Sequence, residues 1–460
     1  MPPPLALAFC AIFIILMLRL ERKQAPDVTR ALWIPTIWML YSASKPIAVW
    51  FRIESTAPDA GSPMDQVFLI GLMLAALAIL ARRRSRWMGA MKENPWVLAL
   101  IVFMFISVIW SDIPGTSLKR WIRELHAVLM SLAVLSEPSP RQAMESLLRR
   151  VTYILIPLSM LLIKYFPIYG VEYGRWSGEQ MWIGVTQQKN GMALLCIISA
   201  IFILWSLFRR WQGETPPVWK YQAPAEMGIL ILTLYLLGGP SHSLFYSATS
   251  SYAFTAGLIG CSWVYFREKA GKRVKASVLS GIIALFIVFG VASVFVGGSG
   301  IKFFASSAGR DTTLTGRTEV WTSLLPVVLG SPIVGRGFGG FWTSKTRELY
   351  KISGAHNGYL DVLLGIGFSG LILVSMFLMS SCRRAHRELT QDRSWGLLWL
   401  CYLVVAVVHN IGESSIDSFT ALLTAILLFM TVAATRKRPA EIKPEEDLDE
   451  AFDEALDKDE

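Results

Sequence analysis

The sequence predicts an all-α, polytopic bundle of transmembrane helices with about 12–13 spans and a large outer loop before the last three. Three observations carry that reading. The 460 residues are 53% hydrophobic with a mean hydropathy of +0.46. Only 17% are charged, against about 25% in an average soluble domain. The apolar residues also fall in continuous runs long enough to cross a hydrocarbon core of about 30 Å. Inside lipid, only helices and closed barrels satisfy their own backbone. Continuous runs, rather than ten-residue alternating ones, select helices.

Taken in order, the runs place spans at 4–18, 32–50, 67–81, 96–110, 121–136, 151–166, 192–208, 227–238, 250–266, 276–296, 359–380, 395–409 and 419–435. The first, Leu5 to Leu18, has neither a basic leading segment nor an A-x-A site. It therefore reads as a retained span rather than a signal peptide. The second contains Lys45 and Pro46, and the fifth opens with Arg123, Glu124 and His126. Ionisable groups are costly at that depth, so these are expected to face a polar cavity.

The connecting segments alternate in charge. Basic ones are 19–30, 82–86, 141–150, 209–210, 267–275, 383–387 and 436–438. The positive-inside rule puts them in the cytoplasm. Segments 51–66, 111–120, 167–191, 239–249, 297–358 and 410–418 then face outward. Thirteen spans keep this parity at every loop, with the N-terminus outside and the C-terminus inside. The chain divides into spans 1–10 over 1–296, an outer loop over 297–358, spans 11–13 over 359–435, and a cytoplasmic tail over 436–460.

The net charge of +10 conceals an asymmetry. Residues 441–460 hold eleven Asp/Glu and two Lys, so the tail is −9 and the rest +19. In a membrane protein such a basic body is topogenic and lipid-facing, so nucleic acid is not an expected partner. The tail reads as solvated and disordered. Cys10, Cys196, Cys261, Cys382 and Cys401 sit in or beside apolar runs and make no metal-ligand pattern.

The outer loop breaks the charge rule. It carries Lys302, Arg310, Arg317, Arg336, Lys345, Arg347 and Lys351 against Asp311, Glu319 and Glu348. Topology does not explain seven cations there. Within it, Thr318 to Val328 suits a short helix, and Gly335-Arg336-Gly337-Phe338-Gly339-Gly340 a turn. No strand–helix unit surrounds these glycines, so they are not read as a nucleotide fingerprint.

Guanidinium groups stay charged and pair with phosphate as planar forks. An enzyme acting on a diphosphate-linked lipid needs that charge twice: to hold the donor, and to stabilise the leaving diphosphate. No His/Asp/Glu cluster with metal-ligand spacing stands in the outer segments, so arginines are expected to replace a metal, and no cofactor is called for. A histidine suits removal of the acceptor's proton. Of five histidines, His356 closes the cationic loop, in Ala355-His356-Asn357-Gly358-Tyr359.

The stretch from Gly309 to Trp321, then Pro332, Gly335-Arg336-Gly337-Phe338-Gly339, His356-Asn357-Gly358-Tyr359-Leu360 and Gly365–Gly370 resembles the O-antigen ligase/polymerase superfamily, particularly its exopolysaccharide-polymerase-like branch. Gly184-Val185-Thr186-Gln187-Gln188-Lys189-Asn190-Gly191, and Trp110-Ser111-Asp112 through Ser117-Leu118-Lys119-Arg120, look like further family segments. The resemblance implies a metal-independent, inverting glycosyltransferase at the periplasmic face of a bacterial inner membrane. Its implied partners are an undecaprenyl-diphosphate-linked oligosaccharide, an acceptor glycan, membrane lipids and other polysaccharide-assembly proteins. Carried over, Arg317 corresponds to a diphosphate-contacting arginine and His356 to the base. Arg175 looks like a second diphosphate ligand, with Lys119 or Arg120, Arg310 and Arg336 as further candidates. Asn357, Lys189 and Asn190 support them. One departure stands out: Gly239-Pro240-Ser241-His242-Ser243 and Ser247–Ser251 lack the arginine that many relatives carry there.

Polymerisation of repeat units is the favoured activity. Transfer of a finished glycan to lipid A core is the alternative, since both acceptors are sugar hydroxyls. A lipid-linked sugar flippase is the rival of another class; it predicts inverted repeats and broken helices at the midplane.

Overall fold

The computed structural model describes residues 1–53, 61–83, 88–174, 178–215, 217–242, 246–296 and 317–434. Thirteen helices among them occupy the thirteen expected spans in order. They are α1 (Pro3–Gln24), α2 (Trp33–Ser42), α3 (Pro63–Arg82), α4 (Pro95–Ile106), α5 (Pro114–Leu135), α6 (Pro140–Tyr165), α7 (Lys189–Trp211), α8 (Gln222–Gly238), α9 (Ala248–Lys269) and α10 (Ala276–Phe295). After the outer-loop helices α11 (Arg317–Gly330) and α12 (Ser344–Tyr350) come α13 (Gly358–Gln391), α14 (Arg393–His409) and α15 (Leu422–Ala433). Six of them (α1, α3, α6, α7, α10 and α13) are long and apolar enough to cross a membrane. The architecture is an all-α, multi-pass membrane bundle. Its β-structure among the described residues is one small hairpin, β1 (Val171–Tyr173) paired antiparallel with β2 (Gln180–Trp182).

Local chemistry sets the helix ends. Five helices (α1, α3, α4, α5 and α6) open with proline, whose fixed φ suits the first turn and whose missing N–H is not needed there. The Asn357 side chain caps α13 through the Leu360 N–H at 3.0 Å, and Asp392 caps α14 through the Trp395 N–H at 2.9 Å. Basic residues close α1, α7 and α9, complementing the helix dipole. Burial sorts the helices into interior and rim. The apolar window of α6 is 83% buried and that of α7 72%, against 11% for α1.

Two spans depart from expectation. The second stops at Ser42, and only a short helix, Ile47–Trp50, follows the break. Pro46 stands just before that helix and has no N–H to continue the ladder. Lys45, expected to face a polar cavity, lines neither of the two cavities described below. Its ammonium donates to the carbonyls of Tyr169 (2.6 Å) and Gly184 (2.7 Å), and its N–H to Val185 (2.9 Å). It thus anchors the turn before α7. The last span begins at Leu422, three residues late, because 410–421 is irregular and packed into the bundle.

The basic segments gather at one end. Arg83 pairs with Glu137 (3.0 Å), which also accepts from the Thr29 hydroxyl (2.7 Å). Arg150 pairs with Glu21 (3.0 Å), Arg209 with Glu145 (3.1 Å), Arg141 with Asp392, and the His386 ring meets the Val274 carbonyl (2.8 Å). Burial alone would raise the Asp392 carboxyl, but Arg141 and the Trp395 N–H hold it below its usual range. Segments 19–30, 82–83, 141–150 and 209–210 are thus joined through these carboxylates, and 267–275 touches 383–387.

Candidate functional site

The opposite end carries the polar chemistry. His356 sits at φ +50°, a left-handed conformation that histidine tolerates better than most residues but still at a cost. The next two residues hold it there. Asn357 is buried, caps α13 and donates to the Ile411 carbonyl at 3.1 Å. The Gly358 N–H reaches the carbonyls of Asn410 (2.9 Å) and Glu413 (3.0 Å). That approach leaves no room for a side chain: a Cβ at Gly358 would collide with Asn410.

The His356 Nδ1 lies 3.1 Å from Glu413 Oε2. Glu413 is 6% exposed, and its other carboxylate oxygen accepts from the Asn190 side-chain amide. Asn190 Oδ1 in turn accepts from the Ser247 hydroxyl at 3.4 Å. Lys189 places its ammonium 5.4 Å from the Tyr246 ring centroid. A carboxylate at Nδ1 fixes the ring's orientation and tautomer, leaving Nε2 as the atom that takes a proton. His356 and Asn190 therefore meet on Glu413, with Asn357 and Lys189 beside them in the chain. Glu413 is the residue that pattern misses. It stands in the expected outer segment 410–418, 57 residues from its partner, and nothing local marks it.

Beside this group lies a cavity of about 390 Å³. Lys119, Arg120, Arg123 and Arg347 line it, together with Glu124, Asp361 and Asp417. The expectation that Arg123 and Glu124 face a polar cavity holds. Met104, Val362, Leu364, Ile366 and Val374 supply an apolar wall between α4 and α13. Asp361 joins cavity and histidine. It accepts from the Trp342 indole (2.7 Å), the Ala355 N–H (3.3 Å) and the Ser414 hydroxyl. Ala355 precedes His356, and Ser414 follows Glu413.

The glycine-rich turn forms the cavity's rim, and it is held tightly. Gly335, Gly337 and Gly339 all have positive φ. A Cβ at Gly337 would lie 2.7 Å from the Ser107 carbonyl, and one at Gly335 2.7 Å from the Gly365 backbone. The Arg336 N–H donates to the Leu364 carbonyl and the Phe338 N–H to the Ser107 hydroxyl, each at 2.9 Å. Arg120 donates to the carbonyls of Gly339 and Trp342, the latter at 3.0 Å. Across the turn, Gly367 kinks α13 at φ +65° so that Phe368 and Ser369 can donate to Pro332 and Ile333. The paired glycine runs thus serve one close backbone approach.

Not every candidate enters this site. The Arg336 side chain does not line the cavity; its guanidinium lies by Gly330. Arg317 opens α11, but its side chain lies outside the described residues, as do Arg175 and Arg310. Two other histidines are engaged elsewhere: His126 nitrogens meet the carbonyls of Ile122 and Leu69, and the His242 ring packs against Trp182 and Tyr235. Among the described residues no group of three His, Cys, Asp or Glu side chains is gathered to hold a metal ion.

A multi-pass helical bundle with a carboxylate-paired histidine beside a cation-lined cavity defines the class of protein. Residues 243–375 match the O-antigen ligase family model. The chain is also similar to the exopolysaccharide production protein ExoQ of Rhizobium meliloti (strain 1021). The two are 25% identical over 324 residues, covering 65% of this chain and 67% of that protein. Both likenesses fall on the superfamily that the motifs of the sequence resemble.

Proposed function

We propose that the protein is a glycosyltransferase that uses an undecaprenyl-diphosphate-linked oligosaccharide at the periplasmic face of the inner membrane and joins repeat units into a polysaccharide. The observation that carries the reading is the His356–Glu413 pair set beside a cation-lined cavity and tied to it through Asp361.

In the proposed step the acceptor hydroxyl oxygen attacks the donor's anomeric carbon. Its proton passes to His356 Nε2. The bond from that carbon to the diphosphate oxygen breaks, and the electron pair leaves on the diphosphate. Lys119, Arg120, Arg123 and Arg347 offset that charge, with Arg317, Arg175 and Arg310 as further candidates from the outer segments. Attack opposite the leaving group inverts the anomeric centre. The diphosphate is a good leaving group, so the step is written without a metal, and transfer is expected to survive EDTA.

The resemblance to the exopolysaccharide production protein ExoQ favours polymerisation. The family's own description, O-antigen ligase, favours transfer of a finished glycan to a lipid-borne acceptor as a second reading. The test uses purified protein in lipid nanodiscs with a radiolabelled undecaprenyl-diphosphate oligosaccharide. A ladder of products supports the polymerase. One transfer, only with a lipid A core acceptor, supports the ligase. Labelled donor that crosses a vesicle membrane unchanged would replace both with a flippase.

A further inference from the structure

A second cavity, of about 130 Å³, shares Arg123 with the first. Arg123 and Thr420 line both cavities. The linings otherwise differ in kind. The first holds four cations and three carboxylates beside an apolar wall. The second is walled by two aromatic rings, Trp38 and Tyr41, by neutral polar groups from Ser44 and Gln187, and by His126. Among the described residues no carboxylate lines it.

We propose that this second cavity is the subsite for the sugar ring bonded to the donor's diphosphate, a neutral hexose or N-acetylhexosamine. The inference rests on the donor reading given above. A pyranose has apolar C–H faces and a belt of hydroxyls. It therefore fits a pocket with rigid aromatic walls and a few neutral hydrogen-bonding groups. Both rings are backed by a second aromatic: Trp38 stacks on Phe429 at 5.8 Å, and Tyr41 packs on Phe68 at 5.5 Å. Their positions are thus set before a ligand arrives. The Tyr41 hydroxyl is placed beside Arg123 and Asp65. Gln187 is exposed at the mouth, three residues before the Asn190 that holds Glu413.

The shared arginine decides which sugar. A ring in this cavity is one bond sequence away from a phosphate that Arg123 contacts in the other. The molecule then presents, in order, an apolar wall, a cationic cavity, Arg123 and an aromatic–polar cavity. A lipid diphosphate sugar presents the same order of parts. An acceptor glycan, which carries no diphosphate, has no such reason to share Arg123.

Binding to detergent-purified protein is measured for glycan-free undecaprenyl diphosphate, and for the same lipid carrying one glucose, galactose or N-acetylglucosamine. At least one glycosylated lipid is expected to bind the wild type more tightly than the glycan-free one. Tyr41→Ala should erase that difference, weakening the glycosylated lipid about three- to tenfold, the range of a lost aromatic contact. Its affinity for glycan-free lipid should stay within about twofold. Gln187→Ala, at an exposed position that leaves the packing intact, should narrow the same difference. Tyr41→Phe should keep most of it. Equal weakening of both lipids, a difference that survives Tyr41→Ala, or a wild type that does not distinguish the lipids overturns the proposal. If neither lipid binds the wild type, the donor reading itself fails, which is a separate and visible result.

Discussion

The two ends of this bundle use the same side chains for opposite purposes. At the basic end, arginines meet carboxylates directly. Glu21 and Arg150 are both buried and paired at 3.0 Å. Glu226 is fully buried, paired with Arg210 at 2.9 Å, and also accepts from Tyr153 (2.9 Å) and Ser206 (3.2 Å). Charge there is neutralised within the protein and fastens α1, α6, α7 and α8. At the other end, Lys119 and Arg123 are exposed and border a cavity, and the buried carboxylates bind hydroxyls and N–H groups instead. The first arrangement stores stability. The second leaves positive charge available to an anionic ligand. Charged residues should therefore divide by end: one set sensed by melting, the other by turnover.

The largest effects test that division. His356→Ala should slow glycosyl transfer about 10²–10⁴-fold, the reach of general base catalysis, while donor affinity and melting temperature stay near wild type. Near-normal turnover in this variant would remove the histidine from the mechanism. At the basic end, Arg150→Met should cost about 3–5 kcal/mol of stability, because Glu21 is left buried without its cation. The double change Glu21→Leu with Arg150→Met should recover most of that loss, since an apolar pair also fills the space. Thermal unfolding in nanodiscs reads both. Catalytic loss in the double variant, once its stability is restored, would break the comparison.

How much of this is legible in the sequence also differs by end. Continuous apolar runs and the alternation of basic loops anticipate a helix at each of the thirteen expected places, because each is a local signal. The gathering of Arg83, Arg141, Arg150 and Arg209 follows from charge parity. His356, Asn190 and Lys189 stand in short motifs. Glu413 does not, because its contact with His356 is made by the irregular 410–421 segment folding back, and no short pattern encodes that. Arg336 looks like Arg120 by chemistry. Only the path of the glycine turn, with its N–H given to Leu364, shows that Arg120 lines the cavity and Arg336 does not. Lys45 departs from expectation for a related reason: a lone cation in a span can be satisfied by carbonyls of a distant turn.

Glu413 gives the next smaller effect. Glu413→Gln keeps the amide–His356 geometry available but removes the charge that would stabilise the imidazolium of the proposed transfer step. Turnover should fall about 10–100-fold, as for loss of an orienting partner, with the acidic limb of the pH–rate profile moved to lower pH. A merely structural role would lower stability and leave the profile in place. Rescue of both by Glu413→Asp would sharpen the assignment.

The smallest effect concerns Asp417, in the irregular segment before α15. Burial, and then the neighbouring carboxylates of Asp361 and Glu124, push its pKa up to about 8. It borders the first cavity with Lys119, Arg120, Arg123 and Arg347. The sign follows from linkage. A carboxyl whose pKa is higher folded than unfolded binds more protons in the native state, so its contribution to stability is complete below its ordinary pKa near 4 and lost as pH rises through about 8. Deprotonation also adds negative charge beside the proposed diphosphate. Donor affinity should therefore weaken about two- to sixfold between pH 7 and pH 9, the effect of one charge several ångströms away in a watery cavity. Asp417→Asn should flatten both the stability and the affinity curves over that interval, while Asp392→Asn at the basic end should leave the affinity curve unchanged. Titrations of donor binding at constant ionic strength decide it. An affinity curve that keeps its slope in Asp417→Asn would assign the dependence to another group and leave Asp417 a packing residue.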